Sequence, residues 1–65
     1  MRVNLNDKLV ITSCKNLKDF LQELNSLPDA YAVAVNGKII PKSIHESTII
    51  HEDDDIEVFA LMAGG

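Results

Sequence analysis

The residues of this 65-residue chain best suited to do chemistry are the last ones, Met62-Ala63-Gly64-Gly65. An apolar, strand-like run leads straight into two glycines and a terminal carboxylate, with no polar or capping tail between them. Glycine has no Cβ, so such an end reads as a flexible, side-chain-free carboxylate able to thread a narrow channel in another protein and approach a phosphate or a nucleophile closely. At about 3.3 Å per extended residue, Ala63 to Gly65 reaches roughly 10 Å past the strand. Whatever acts on the Gly65 carboxylate must therefore dock near the last strand, with Ala63 and Gly64 presenting it.

The second concentration of reactive groups is Glu52, Asp53, Asp54, Asp55 and Glu57, half of the ten acids in the chain. It is no calcium loop of the EF-hand type, because counting from Asp53 places Val58 where the sharp-turn glycine belongs and Gly64 where the bidentate glutamate belongs. It reads as a solvated turn before the last strand, and Glu52, Asp53 and Asp55 can also form an electrostatic docking patch for a basic partner. His45, His51 and Cys14 lack metal-ligand spacing, so ordinary structural or surface roles are expected and no metal site. No phosphate-binding glycine loop and no GxSxG nucleophile elbow occurs.

Composition narrows the reading further. Sixty-five residues close one modest core but do not also wall off a deep substrate cleft, which disfavours a self-contained enzyme. Six basic against ten acidic residues, a net charge of −4, disfavour recognition of a nucleic-acid backbone. The longest apolar runs, Ala30 to Val35 and Val58 to Ala63, are six residues each, whereas a membrane helix needs about 20. One cysteine cannot form a disulfide framework, and Met1 is followed by strand-like alternation rather than a signal-peptide pattern. The expectation is a cytoplasmic protein with its native start at Met1.

The elements that must position the tail follow from periodicity. Met1, Val3 and Leu5 alternate with polar residues, Asn6-Asp7 supplies turn chemistry, and Lys8 to Thr12 alternates again, which predicts a β-hairpin with Leu9 and Ile11 inward. From Asn16 the period changes to that of a helix, with Leu17, Phe20, Leu21, Leu24 and Leu27 on one stripe. Asn16 caps its first turn with Asp19 three positions on, and Pro28 ends it after Leu27. Tyr31 to Val35 reads as a strand, Asn36-Gly37 as a tight hairpin turn into Lys38-Ile39-Ile40, Pro41 as an exit from the sheet, and Ser43 to Ser47 as an irregular or 3₁₀ turn. Ile56, Val58, Ala60 and Met62 alternate with Glu57, Phe59 and Leu61 in the last strand. The order β-β-α-β-β-β gives an α+β fold: a mixed four- to five-stranded sheet covered on one face by a single main helix. If Ile56 and Val58 face that helix, Phe59 and Leu61 lie on the uncovered face as a partner surface, unless the segment 41 to 55 covers them.

Taken together, these residues resemble the ThiS family of thiamine-biosynthesis sulfur carriers, over essentially the whole chain. The resemblance rests on Val3-Asn4-Leu5-Asn6, the helix with Leu17, Leu21 and Leu24, Val33-Ala34-Val35-Asn36-Gly37 followed by Ile40-Pro41, and Asp55-Ile56-Glu57-Val58-Phe59 with Ala63-Gly64-Gly65. It implies the ubiquitin-like β-grasp fold, one domain over residues 1–65 with a flexible tail at 63–65. It further implies that Gly65 carries the reacting carboxylate. A ThiF-type adenylating enzyme, using ATP and Mg²⁺, would activate it; sulfur from a cysteine desulfurase would then replace AMP, and the thiocarboxylate would deliver sulfur to thiazole synthase. On this reading the chain is a protein substrate and carrier with no active site and no stably bound cofactor of its own. The family usually has a glycine between two acids before the final strand; here that position is Asp54, and aspartate tolerates a positive φ better than most residues.

Related readings keep the fold and change the role: a carrier resembling the small subunit of molybdopterin synthase, a carrier for tRNA thiolation, or a ubiquitin-like modifier joined to lysines. A non-covalent β-grasp interaction module is the reading that needs no chemistry at Gly65. The compact length without insertions favours the thiamine branch.

Overall fold

Two asparagines set the architecture. Asn6 and Asp7 adopt φ of 49° and 68°, and Asn36 and Gly37 adopt 52° and 83°. These left-handed pairs suit two-residue turns whose twist matches that of the strands they join. A computed structural model of the chain describes residues 1–61. In it the first turn joins β1 (Arg2–Leu5) to β2 (Lys8–Ile11), and the second joins β3 (Tyr31–Val35) to β4 (Lys38–Ile39). Between the hairpins runs α1 (Leu17–Glu23), and a 3₁₀ turn (Lys42–Ile44) precedes β5 (Asp55–Ala60). The strands form one mixed sheet in the order β2-β1-β5-β3-β4, with β1 and β5 parallel and every other pair antiparallel. One helix on one face of such a sheet is the β-grasp, ubiquitin-like arrangement expected.

Leu17, Phe20 and Leu21 of α1 meet Val3, Val33, Ile50 and Ile56 in the core. Fully burying each large apolar side chain contributes roughly 1.5–3 kcal/mol, so this contact is the main stabilising layer. The Asn16 side chain accepts the Asp19 N–H at 2.8 Å and donates to the Asp19 carboxylate at 3.1 Å, capping the first turn as expected. The helix is shorter than its apolar stripe. It ends at Glu23, and Leu24 is extended with φ −73° and ψ 134°, because Asn25 and Ser26 favour turns over helix and Pro28 restricts Leu27. Leu24 and Leu27 still pack against the core, from a loop instead of a helix face.

The expectation that Leu9 and Ile11 point inward is wrong; they are exposed, and Val10 and Thr12 turn toward the core. The reason is register. A two-residue turn at Asn6-Asp7 pairs Leu5 with Lys8, Asn4 with Leu9, Val3 with Val10 and Arg2 with Ile11, and cross-strand partners share a face. Val3 is buried, so Val10 follows it inward and Leu9 goes out with Asn4. The segment 41–55 does not cover the outer face either. It ties to the start of α1, through Leu17 N–H to Thr48 O and Ile50 N–H to Lys15 O, both at 2.9 Å, and buries Ile50 in the core.

Candidate functional site

β5 carries the chain toward its end, and three sets of contacts fix its position. Along one edge it pairs with the whole of β3, from Val35 opposite Ile56 to Tyr31 opposite Ala60, and the last rung is the Leu61 N–H to Ala30 O bond at 2.9 Å. Along the other edge the Asn6 N–H reaches Ile56 O at 3.0 Å. There β1 has ended, and the Asn6 side chain continues the ladder: its Oδ1 accepts the Val58 N–H at 2.9 Å and its Nδ2 donates to Val58 O at 3.4 Å. At the base of β5, Asn36 does the same work from the other hairpin. Its N–H donates to Asp55 O at 2.7 Å, its Oδ1 accepts the Asp55 N–H at 2.9 Å, and its Nδ2 donates to Asp54 Oδ1 at 3.0 Å.

The acidic run is therefore divided by the fold. Asp54 is buried and also accepts the His51 N–H at 2.8 Å. Glu52 accepts the Arg2 N–H at 2.6 Å, and the Arg2 guanidinium lies 3.8 Å from Glu52 and 3.4 Å from Asp53. These half-exposed pairs are worth little each, but they turn two of the expected docking acids toward the chain's own arginine. The positive φ in this turn belongs to Asp53, at 69°, and not to Asp54. Asp55 pairs with Asn4 and Glu57 with Ala34, which leaves these two acids along the outer face.

On that face Phe59 is 42% and Leu61 53% exposed, the placement their strand parity predicts. Phe59 stands opposite Ala32 and Ile39 opposite Ala34. The two alanines are small, so Phe59, Leu61 and the 58%-exposed Ile39 form an apolar shelf interrupted by no large side chain. Ile39 was missed from sequence. The signal was present, since a two-residue turn at Asn36-Gly37 puts Ile39 opposite Ala34, on the face that Val33 does not use. Glu57 and Asp55 precede Phe59 on the same face of β5, Glu57 opposite Ala34 in the row that holds Ile39, and Leu9 and Ile11 lie beyond Asn4 and Arg2 at the far edge. The expected tail residues Ala63, Gly64 and Gly65 lie outside the described residues.

Among the described residues, no group of three or more His, Cys, Asp and Glu side chains is gathered to hold a metal. Buried His45 places Nε2 2.9 Å from Ile40 O, which accounts for it structurally. Cys14 donates its N–H to Thr12 Oγ1 at 3.0 Å. The hydrogen bond with Thr12 lowers the pKa of its thiol, but desolvation and the carboxylates of Glu23 and Asp19 outweigh it and hold the thiol above its ordinary value. A thiol so placed is a poor nucleophile at neutral pH. Among the described residues, no helix is long and apolar enough to cross a membrane.

Among the described residues, the arrangement thus offers an exposed apolar surface beside β5. Comparison with known proteins agrees with this geometry. The crystal structure of a thiamine biosynthesis protein (ThiS) from Geobacter metallireducens is similar over 100% of both chains, with a TM-score of 0.85 at 22% identity. The solution NMR structure of a thiamine biosynthesis protein from the same organism gives a TM-score of 0.73 at 22% identity, covering 100% of this chain and 88% of that one. At this identity the solved structures share the fold. No curated protein matches the sequence. The family model described as the ThiS family matches residues 2–65, and on that match the chain belongs to the ThiS family.

Proposed function

We propose that the chain is a sulfur carrier of thiamine biosynthesis, acted upon by larger enzymes and catalysing nothing itself. One observation supports this most strongly: β5 ends at the Leu61 to Ala30 rung beside the shelf of Ile39, Phe59 and Leu61. Gly65, on which the carrier reading places the reacting carboxylate, lies four residues beyond Leu61. A partner seated on the shelf therefore has the carboxylate within reach.

A carboxylate is a poor electrophile, and activation is what the partner must supply. A ThiF-type adenylating enzyme holding ATP and Mg²⁺ would direct a Gly65 oxygen onto the α-phosphorus, releasing pyrophosphate and leaving an acyl-adenylate. The persulfide of a cysteine desulfurase would attack the acyl carbon and expel AMP, and a thiol would reduce the resulting S–S bond to free a thiocarboxylate. Sulfur is a softer and better nucleophile than the oxygen it replaces, and it passes to thiazole synthase for ring formation. This chain contributes the presented carboxylate through Ala63, Gly64 and Gly65, and docking through Phe59 and Leu61. Asp55 on the outer face orients a basic partner surface, and Glu52 and Asp53 at the base of the strand add to it through the half-exposed carboxylates that Arg2 only partly neutralises; complementary charge acts on encounter and register more than on final affinity.

Deleting Gly65 tests the reading. With a ThiF-type enzyme and ATP, the shortened chain should give no pyrophosphate release while melting as the full chain does. AMP formation unchanged by the deletion would refute the carrier role.

A further inference from the structure

The edge of β5 that faces away from β3 carries an unused feature. Successive residues of a strand direct their backbone groups to opposite edges. Asp55, Phe59 and Leu61 address β3, as the Asn36 N–H to Asp55 O and Leu61 N–H to Ala30 O bonds show. Ile56, Val58 and Ala60 address the other edge. There Ile56 O takes the Asn6 N–H, and both backbone groups of Val58 are taken by the Asn6 side chain. The N–H and C=O of Ala60 come next, and among the described residues neither has a partner. They border a groove of ≈ 390 Å³ walled by the apolar side chains of Leu5, Leu24, Leu27 and Pro28, with the polar Asn6 and Ser26 also in its lining. No charged residue lines it.

We propose that the tail-activating partner lays one extended segment along this edge, pairing its backbone with Ala60 and placing one apolar side chain in the groove between the Asn6 turn and the Leu24–Pro28 loop. The inference rests on the carrier reading above. Chain length supports it: four residues beyond Leu61 span at most about 14 Å, so a site that holds the Gly65 carboxylate brings the partner's surface to the end of β5. Unpaired strand-edge groups recognise extended backbone, and an adjoining pocket adds side-chain selectivity. Six of the eight lining residues are apolar and none is charged, which favours an apolar side chain there, whereas the acids lie on the outer face. Together the shelf and the edge would grip β5 from two sides.

Amide hydrogen exchange of the isotopically labelled chain, free and with a ThiF-type adenylating enzyme, tests this. In the free chain the Ala60 N–H should exchange much faster than the Phe59 N–H, and in the complex it should slow at least about tenfold. Ala60→Pro removes this outward N–H at a position where an edge strand tolerates proline. It should weaken binding about tenfold, the loss of roughly one hydrogen bond, while the Phe59 and Leu61 amides keep their protection. If Ala60→Pro disturbs those amides, the exchange of the unaltered chain decides alone. Binding and AMP formation with an Ala60 N–H that stays unprotected would overturn the edge proposal and leave the carrier reading standing, as would an Ala60 N–H already protected in the free chain. Neither binding nor AMP formation would overturn the carrier reading itself.

Discussion

Replacing Asp54 by alanine removes a buried carboxylate that accepts the His51 N–H at 2.8 Å and the Asn36 amide at 3.0 Å. Hydrogen bonds to a charged group contribute roughly 1.5–3 kcal/mol each, and a buried donor left without a partner is penalised further. Some of this is recovered, because His51 and Asn36 are exposed residues whose freed donors can turn to water. The expected net loss is therefore about 2–4 kcal/mol. A domain of this size has a total stability of roughly 3–10 kcal/mol, so the variant forfeits a large share of it. The melting temperature should fall by roughly 8–30 °C, at 4–8 °C per kcal/mol. Urea unfolding followed by far-ultraviolet circular dichroism gives the free energy directly, with an unchanged m value showing that the loss is one of stability. Asp54→Asn keeps one acceptor and should lose about half as much. A loss below about 0.5 kcal/mol for Asp54→Ala, the level of an ordinary surface change, would refute the claim that this side chain ties the β3–β4 turn to the start of β5.

Four other outcomes follow from named contacts. Asn6→Ala removes the acceptor of the Val58 N–H and places alanine at φ 49°; it should destabilise the chain by about 1–3 kcal/mol, measured by the same urea titration. Phe59→Glu should weaken binding of the adenylating enzyme: with 42% of the residue exposed, docking buries about 80 Å² more, worth about 2 kcal/mol or roughly 30-fold in Kd by calorimetry. Cys14, its thiol held above the ordinary pKa, should alkylate slowly at neutral pH and faster as pH rises, since only the thiolate reacts. Glu23→Gln removes one of the carboxylates that oppose thiolate formation and should speed the reaction at mildly alkaline pH, followed by mass spectrometry.

The residues show why some of this was legible and some was not. The stripe of Leu17, Phe20 and Leu21 and the Asn36-Gly37 turn encode their elements locally, so the helix, the hairpins and the β-β-α-β-β-β order could be read directly. Alternation reveals a strand but not which face goes inward. For Leu9 and Ile11 the phase is set by the Asn6-Asp7 turn and by the burial of Val3 on the neighbouring strand, and counting outward from the turn would have placed both outside. Phe59 and Leu61 were placed correctly because their phase was fixed against Ile56 and Val58 in the same strand. Asp54 was hidden in an acidic run, since its burial depends on Asn36, eighteen positions away. The second role of Asn6 depends on Val58, fifty-two positions away, a partner that no local pattern names.

Under the carrier proposal, the Gly65 carboxylate is the group loaded with sulfur. Intact-mass analysis after incubation with ATP, Mg²⁺, a cysteine desulfurase with its substrate, a thiol reductant and a ThiF-type enzyme tests it most directly. The account predicts replacement of one oxygen by sulfur, placed on Gly65 by fragmentation and absent when ATP is withheld. An unchanged mass despite measurable AMP formation, or sulfur found on Cys14 in place of Gly65, would contradict it.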